Sequence, residues 1–210
     1  MAKVLCISSQ TVWGPVGNSA AVPALQSCGH EVLSLPTVVL SNHPGHATPI
    51  GQSIPAPLLD QMLEKLATLF ALQNCAAVMT GYFASAEQVV VAAKHIRLMR
   101  QENPTLYVLI DPVIGDHGAL YVSEDVAHAI REHLLPLATI ITPNLFELSW
   151  LTRSHFATNT PEDAARKLAV PEVLVTSVPR GNDDLATLLV QGDNLTEHRT
   201  KHLASSSWHR

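Results

Sequence analysis

Short apolar runs rich in β-branched residues alternate along the chain with longer segments of helical periodicity, and this alternation constrains the fold most. Helical periodicity is clearest in residues 58–72 and 86–99, where apolar side chains recur every three or four positions. The predicted strands are residues 4–8, 31–35, 76–80, 106–111, 139–142 and 172–177. Strands separated by helices form a mostly parallel sheet with helices on both faces. We therefore predict an α/β fold, a three-layer α/β/α sandwich with a mostly parallel central sheet.

The size and composition of the chain agree with one small-molecule domain. Its 210 residues are 47% hydrophobic and only 15% charged, so it can bury a full core as a single domain over 1–210. A formal net charge of −5 without any cluster of Lys and Arg argues against nucleic acid or an anionic membrane surface as a partner. The opening apolar run is too short for a signal-peptide core or a membrane span, so we expect a cytoplasmic protein.

Two connections stand out between the periodic segments. Residues 41–57 hold four prolines and two glycines, which predicts a loop or flap of the kind that often carries function. His43 and His46 lie in this loop without a neighbouring Cys or carboxylate, so a transition-metal site is disfavoured. Residues 185–190 and 197–203 flank the turn-rich tetrapeptide 191–194 and predict a β-hairpin.

Polar residues at the ends of the predicted strands are the candidates for a site. In open α/β sheets, ligands bind at the carboxyl ends of the strands. The first strand is followed by Ser9 and by the glycine-bearing stretch 14–19, which could present backbone N–H groups at a helix start. An ordinary strand-to-helix turn explains the stretch equally well, and it lacks the Gly-Lys-Ser/Thr of a Walker A loop.

Acidic residues follow two later strands. Asp111 and Asp116 flank a Pro/Gly bend, and Glu147 lies one helical turn after Asn144 at the start of a predicted helix. Each segment alone could be a turn or a helix cap. Together they place three carboxylates at one rim, which suits Mg²⁺ and a polyphosphate, because Mg²⁺ prefers oxygen ligands. The last parallel strand would add Thr176 and Ser177 to the same rim.

Six segments together resemble the signature segments of pyridoxal kinases, a family of the ribokinase-like superfamily. They are Ser9-Gln10, Val16-Gly17-Asn18-Ser19-Ala20-Ala21, Ser41-Asn42-His43, Thr80-Gly81-Tyr82, Asp111-Pro112-Val113-Ile114-Gly115-Asp116, and residues 140–147. The resemblance runs from about residue 4 to about residue 190. It implies a ribokinase-like fold and the ATP- and Mg²⁺-dependent phosphorylation of the 5′-hydroxyl of pyridoxal, pyridoxine or pyridoxamine in vitamin B6 salvage. It also implies a homodimer, with K⁺ as a further candidate cation.

The resemblance also implies roles for individual residues. Ser9 would bond the substrate on its pyridine-nitrogen side, Tyr82 would pack near the substrate, and residues 41–46 would cover it. The substrate-binding set implied in this way is Ser9, Ser41, His43, Pro44 and Tyr82. The ATP-binding set is Asp111, Thr142, Asn144, Glu147, Thr176 and Ser177, and the Mg²⁺ ligands, direct or through water, are Asp111, Asp116 and Glu147.

The chain departs from the family pattern at two points. Pro44 stands where the family commonly has a Thr that can contact the substrate, and it offers neither a hydroxyl nor an N–H. The Gly-x-Gly-Asp motif, which supplies the family's anion hole and catalytic base, is absent, so the catalytic residue is unknown. Residues 204–210 stand where that motif is expected, which suggests truncation or a shifted reading frame. Residues 181–184 are a weaker substitute, because they predict a hairpin turn and not a helix start.

Three functions fit this sequence. The first is a pyridoxal kinase. The second is a catalytically impaired, truncated homologue that binds vitamin B6 or a nucleotide. The third is a hydroxymethylpyrimidine kinase, although the Ser-Asn-His and Thr-Gly-Tyr segments favour pyridoxal.

Overall fold

The structure is a computed structural model that describes residues 1–69, 71–154, 156, 159–181 and 184–201. The strands are β1 (Lys3–Trp13), β2 (Glu31–Asn42), β3 (Gly51–Ser53), β4 (Cys75–Thr80), β5 (Tyr107–Ile110), β6 (Gly115–Asp116), β7 (Ala119–Leu120), β8 (Ile140–Ile141), β9 (Glu172–Arg180), β10 (Asp184–Gln191) and β11 (Asn194–Lys201). The α-helices are α1 (Asn18–Ser27), α2 (Ala56–Thr68), α3 (Ala86–Glu102), α4 (Glu124–Ala129), α5 (Leu145–Thr152) and α6 (Pro161–Arg166). A π-helical turn, Ile130–Leu134, and a 3₁₀ turn, Leu135–Leu137, continue α4.

The sheet has the order β11-β10-β9-β8-β5-β4-β1-β2-β3. Its six central strands, β9 to β2 in that order, are parallel, whereas β3, β10 and β11 pair antiparallel at the two edges. The mostly parallel sheet, the six predicted strands and the hairpin are therefore confirmed. The hairpin turn is tighter than predicted, because Gln191 pairs with Asn194 and Gly192 supplies the left-handed φ of +58°. Residues 202 and 203, the predicted end of the hairpin, lie outside the described residues.

The predicted loop 41–57 is too long. β2 continues to Asn42 and β3 lies inside the segment, so the irregular part is the stretch 43–50. The strand ends are held together because the Ser41 N–H donates to the Ile50 carbonyl (2.7 Å) and the Ile50 N–H donates to Ser41 Oγ (2.9 Å). The prolines are tolerated because Pro44 and Pro49 lie in the irregular stretch, and Pro55 and Pro57 lie at the start of α2, where their missing N–H groups need no partner within the helix.

The two faces of the sheet are covered to different extents. The connections from β2 to β9 all run in one direction across the sheet, so right-handed crossovers place α2 to α6 on one face. The β1–α1–β2 connection runs in the opposite direction, so it places α1 on the other face. Leu5, Ile7 and Val78 are fully buried in the core beneath α2 to α6. In the described part of the chain, α1 is the only helix on the second face, which confirms the α/β/α layering. Met79, Leu109 and Leu174 point to that face and stay partly exposed.

Candidate functional site at the carboxyl edge of the sheet

The carboxyl ends of β4, β5 and β8 are joined by backbone hydrogen bonds into one rim, together with the middle of β9, which continues to Arg180 beyond its predicted end. The Asp111 N–H donates to the Thr80 carbonyl (3.0 Å) and the Thr142 N–H donates to the Ile110 carbonyl (3.0 Å). The Thr142 hydroxyl then donates to Asp111 Oδ1 (3.2 Å). On the next strand, the Thr176 N–H donates to the Pro143 carbonyl (2.9 Å). Asp111, Thr142 and Thr176 therefore lie along one edge, as the sequence predicts.

Asn144 and Glu147 form a capping box at the start of α5 and also hold the Asp111–Asp116 bend. Asn144 Oδ1 accepts from the Glu147 N–H (2.9 Å), and Glu147 Oε2 accepts from the Asn144 N–H (2.9 Å). The same two side chains reach across to the bend. Glu147 Oε1 accepts from the Ile114 N–H (2.9 Å), and Asn144 Nδ2 donates to the Gly115 carbonyl (2.8 Å). Capping and site formation are thus performed by the same pair of residues.

Two residues of the rim have strained backbones. Val113, in the bend, has φ +45°, and Ser177, in β9, has φ +56°. A β-branched residue is rarely found in the left-handed region. Such strain costs of order 1–3 kcal/mol and persists only where the surrounding structure holds the backbone in place. The Glu147–Ile114 hydrogen bond next to Val113 is one such restraint. Strained backbone of this kind clusters at functional sites.

The carboxyl groups of Glu147, which is buried, and Asp111, which is partly buried, both have raised pKa values. Burial raises the pKa of Asp111 to about 6, and the hydrogen bond from Thr142 opposes this only in part. Burial raises the pKa of Glu147 to about 7, with a further rise from Asp111, against the lowering effect of the N–H groups of Asn144, Ile114 and Gly115. A cation bound at this rim would favour both ionised forms. The electrostatic environment of the rim therefore favours the binding of a cation.

Asp116 stands apart from the other two acidic residues. Its side chain is 40% exposed and its carboxylate accepts from the neighbouring His117 N–H (2.8 Å). The described residues contain no group of three or more His, Cys, Asp or Glu that could hold a metal ion by themselves. The Mg²⁺ ligation predicted for Asp111, Asp116 and Glu147 stays a prediction, in which phosphate and water oxygens complete the shell.

Ser9 lies against the glycine that begins α1. A Cβ on Gly17 would lie 2.3 Å from Ser9 Oγ and 2.4 Å from the Ser9 carbonyl oxygen, and Gly17 has φ +54°. Only glycine fits such an approach and such a backbone. The Ser9 side chain is buried, at 8% exposure, and its hydroxyl has no hydrogen-bond partner among the described residues. A hydroxyl in that position is available to a ligand.

A cavity of about 330 Å³ connects the start of α1 with the rim, and its lining includes Ser8, Gly17, Gly81 and Asp111. It lies between α1 and the sheet and reaches the rim at Asp111, and none of the predicted substrate-binding residues, all of which the structure describes, lines it. Met79, from the open face of the sheet, forms part of its apolar wall.

Asn18, Ser8 and Thr37 support the site, although they were not among the predicted site residues. Tyr82 is fixed through its backbone, since its N–H donates to Ser8 Oγ (3.2 Å) and its carbonyl accepts from the Thr37 hydroxyl (2.7 Å). Asn18 is 1% exposed and its Nδ2 donates to the Ser8 carbonyl (3.3 Å) and the Leu35 carbonyl (3.2 Å), which ties β1 to β2. The only signal for Asn18 was its place in the Val-Gly-Asn-Ser-Ala-Ala segment. Ser8 and Thr37 gave no signal, because their partners are distant in sequence.

The remaining predicted substrate contacts are Ser41, His43 and Pro44. His43 and Pro44 lie in the loop of residues 42–50, which contains most of the predicted cover and is called the covering loop below, and Ser41 lies at its base. The Ser41 hydroxyl closes the base of the loop and donates to Asn42 Oδ1 (2.7 Å). His43 Nδ1 accepts from the Gly45 N–H (3.1 Å), so the neutral ring carries its proton on Nε2, where it can be donated. Pro44 is exposed. Substrate contacts of Ser41, His43 and Pro44 stay predictions.

Comparison with known proteins decides the family. A sequence model of the family described as phosphomethylpyrimidine kinase matches residues 17–209. The pyridoxine/pyridoxal/pyridoxamine kinase of Bordetella avium is 38% identical over 207 residues, which cover 93% of this chain and 70% of that protein. The pyridoxal kinase of Arabidopsis thaliana is 37% identical over 188 residues, which cover 85% of this chain and 59% of that protein. This chain belongs to the pyridoxal kinase family.

Solved structures agree with this family and with the ribokinase-like fold expected from it. The pyridoxal kinase of Entamoeba histolytica superposes with a TM-score of 0.89 at 27% identity, over 99% of this chain and 76% of that one. The pyridoxal kinase of Leishmania donovani in complex with ADP and pyridoxine gives 0.84 at 31% identity, over 94% and 70%. The chain spans 59% of the Arabidopsis kinase and at most 76% of the other three family members. None of the helices described in the structure is long and apolar enough to cross a membrane.

Proposed function

We propose that this chain is a pyridoxal kinase, which transfers the γ-phosphoryl group of ATP to the 5′-hydroxyl of pyridoxal, pyridoxine or pyridoxamine. The observation that carries the proposal is the rim in which Thr142 bonds Asp111 while Asn144 and Glu147 clamp the Asp111–Asp116 bend. Family membership and the Leishmania relative, solved with ADP and pyridoxine, support this substrate class. We further propose that the protein acts in the cytoplasm as a homodimer.

The rim fits a nucleotide with its cation. Asp111 and Glu147 would hold Mg²⁺ directly or through water, with Asp116 in an outer position, and the ion would neutralise charge on the transferring phosphoryl group. Thr142 and Thr176 would line a phosphate and monovalent-cation region, and Ser177 would approach the nucleotide. Because burial disfavours both carboxylates before the cation arrives, nucleotide binding should release protons near neutral pH.

The substrate side contains the hydroxyl of Ser9, which is available to a ligand, and Tyr82, whose backbone is held by Ser8 and Thr37. Ser9 would hydrogen-bond the substrate near its pyridine nitrogen and Tyr82 would pack beside it, while Ser41, His43 and Pro44 would lie in the cover. Pro44 cannot repeat the hydroxyl contact of the family's Thr. No residue is assigned as the base, because the sequence lacks Gly-x-Gly-Asp.

A second candidate, a kinase acting on hydroxymethylpyrimidine, is favoured by the family model, which is described as phosphomethylpyrimidine kinase. Against it, a putative phosphomethylpyrimidine kinase of Bacteroides thetaiotaomicron, 25% identical with a TM-score of 0.87, was solved in a form with pyridoxal.

A calorimetric panel separates the candidates: pyridoxal, pyridoxine and hydroxymethylpyrimidine are each titrated with and without Mg·ATP. A pyridoxal kinase binds the B6 vitamers at least about tenfold more tightly than the pyrimidine. The reverse order supports the second candidate, and vitamer binding without any phosphorylated product supports the non-catalytic binder.

A further inference from the structure

Trp13 is a large aromatic side chain at the surface, beside the covering loop. It ends β1 and is 58% exposed, and no role for it follows from the family segments. Its ring stacks on the ring of His46, with centroids 4.3 Å apart and planes inclined by 22°. His46 in turn meets His43 edge-on, at 6.1 Å and 79°. Three rings thus form a row from the end of β1 into the loop.

The backbone supports the same connection. The His43 N–H donates to the Trp13 carbonyl (3.0 Å), and the His46 N–H donates to the His43 carbonyl (3.0 Å). Gly14, the next residue after Trp13, leaves room for the loop, since a Cβ there would lie 3.0 Å from His43 Cβ and 3.7 Å from His46 Nε2. A side chain at position 14 would crowd His43 at its Cβ and would reach van der Waals contact with the His46 ring.

The loop is otherwise tied mainly to itself. Asn42 Nδ2 donates to the carbonyls of His43 (3.1 Å) and Ala47 (3.0 Å), and Ser41 and Ile50 close the base. The contacts between this closed loop and the β1–α1 segment are therefore concentrated at Trp13 and Gly14. Among the described residues, loss of the ring stack would leave the loop beyond Asn42 with one backbone hydrogen bond to that segment, at His43, the first residue of the irregular stretch.

We propose that Trp13 is a positioning residue, which holds the covering loop against the β1–α1 segment and so fixes His43 at the substrate pocket. The proposal rests on the proposed function for the nature of the ligand, pyridoxal, but the latch itself does not depend on it. Trp13 acts through His46 and need not touch the substrate.

The experiment is a double-mutant cycle of Trp13→Ala and His46→Ala, read by amide hydrogen exchange over residues 42–50 and by pyridoxal titration. Val12→Ala is the matched control, because Val12 is the neighbouring residue, 84% exposed and outside the ring row. Trp13→Phe keeps an aromatic ring in the row. Thermal unfolding of each variant verifies that the fold persists.

Each single alanine variant should speed exchange of the loop amides and weaken pyridoxal binding by about 2- to 12-fold, the factor that corresponds to an aromatic pair. The double variant should be no weaker than either single one, and Trp13→Phe and Val12→Ala should stay within about twofold of the parent. Unchanged exchange over 42–50 in Trp13→Ala, or additive losses in the double variant, would overturn the latch. If the parent does not bind pyridoxal, the proposed function fails, and exchange over 42–50 still decides the latch.

Discussion

Replacing Asp111 with Asn should stabilise the free protein while it removes nucleotide binding. The Asn side chain has nearly the same shape, and its Oδ1 can still accept from the Thr142 hydroxyl. What disappears is a buried carboxylate whose pKa is raised from 3.8 to about 6, chiefly by burial. Since 1 pKa unit corresponds to about 1.4 kcal/mol, ionising Asp111 in the folded state costs the parent roughly 3 kcal/mol at most.

The sign of the pH dependence follows from the raised pKa. The contribution of Asp111 to stability is complete below the unfolded pKa and is lost as pH rises through about 6. The parent should therefore lose stability between about pH 4 and pH 7, and Asp111→Asn should lose less, because Glu147, whose pKa is raised to about 7, still contributes in the variant. At pH 8 the variant should be more stable by about 1–3 kcal/mol, and at pH 4.5 by about a third of that difference.

Urea unfolding at pH 4.5 and pH 8, with calorimetric titration of Mg·ATP at pH 8, measures both effects. Asp116→Asn is the matched control for the stability measurement, because Asp116 is partly exposed and bonds only its neighbour His117 among the described residues. A variant at position 111 that is no more stable than the parent at pH 8 would refute the stability argument. Unchanged Mg·ATP affinity would remove Asp111 from the nucleotide site.

Three further predictions concern other parts of the site and the fold. Gly17→Ala should lower the free energy of unfolding in urea by at least about 2 kcal/mol and weaken pyridoxal binding, because the added Cβ would clash with Ser9. Gly118→Ala, at φ +83° with open space around it, should lower it by only about 1 kcal/mol. Equal losses of stability would contradict the clash. Ser9→Ala should weaken pyridoxal binding by roughly 0.5–1.5 kcal/mol with an unchanged melting temperature, and an unaltered dissociation constant would leave Ser9 without a ligand role. Leu174→Gln, on the open face of the sheet, should lower the free energy of unfolding by less than about 1 kcal/mol. Val175→Gln should lower it by more than about 3 kcal/mol, because Val175 is 0% exposed on the covered face. Similar losses would show that both faces are packed.

The sequence predicted the strands well because each one is a short apolar run, as at residues 76–80 and 106–111. It also predicted that Asp111, Thr142 and Thr176 share an edge, since parallel strands end on the same side of a sheet. Pairing across long separations was not predictable. Pairing with β1 carries β2 on to Asn42, and pairing with residues 38–40 of β2 forms β3 in a segment whose prolines indicated a loop.

The roles of single side chains were harder to predict than their positions. Glu147 reads equally as a cap or as a ligand, and the structure shows the cap together with a bond to Ile114, 33 positions away. Trp13 had no periodic or motif signal, because its partner His46 comes from a loop without regular structure. The uneven cover of the sheet follows from strand order, which the sequence does not give.

Product formation tests the proposed kinase activity most directly. Purified protein in excess over pyridoxal is incubated with Mg·ATP, and pyridoxal 5′-phosphate is followed by mass spectrometry, with the Asp111→Asn variant and the Bordetella avium relative as controls. We predict Mg²⁺-dependent product from the parent and no product from the variant, because Asp111 is a proposed ligand of the Mg²⁺ that neutralises the transferring phosphoryl group. No product from the parent, while the relative converts its pyridoxal, would contradict the proposed activity.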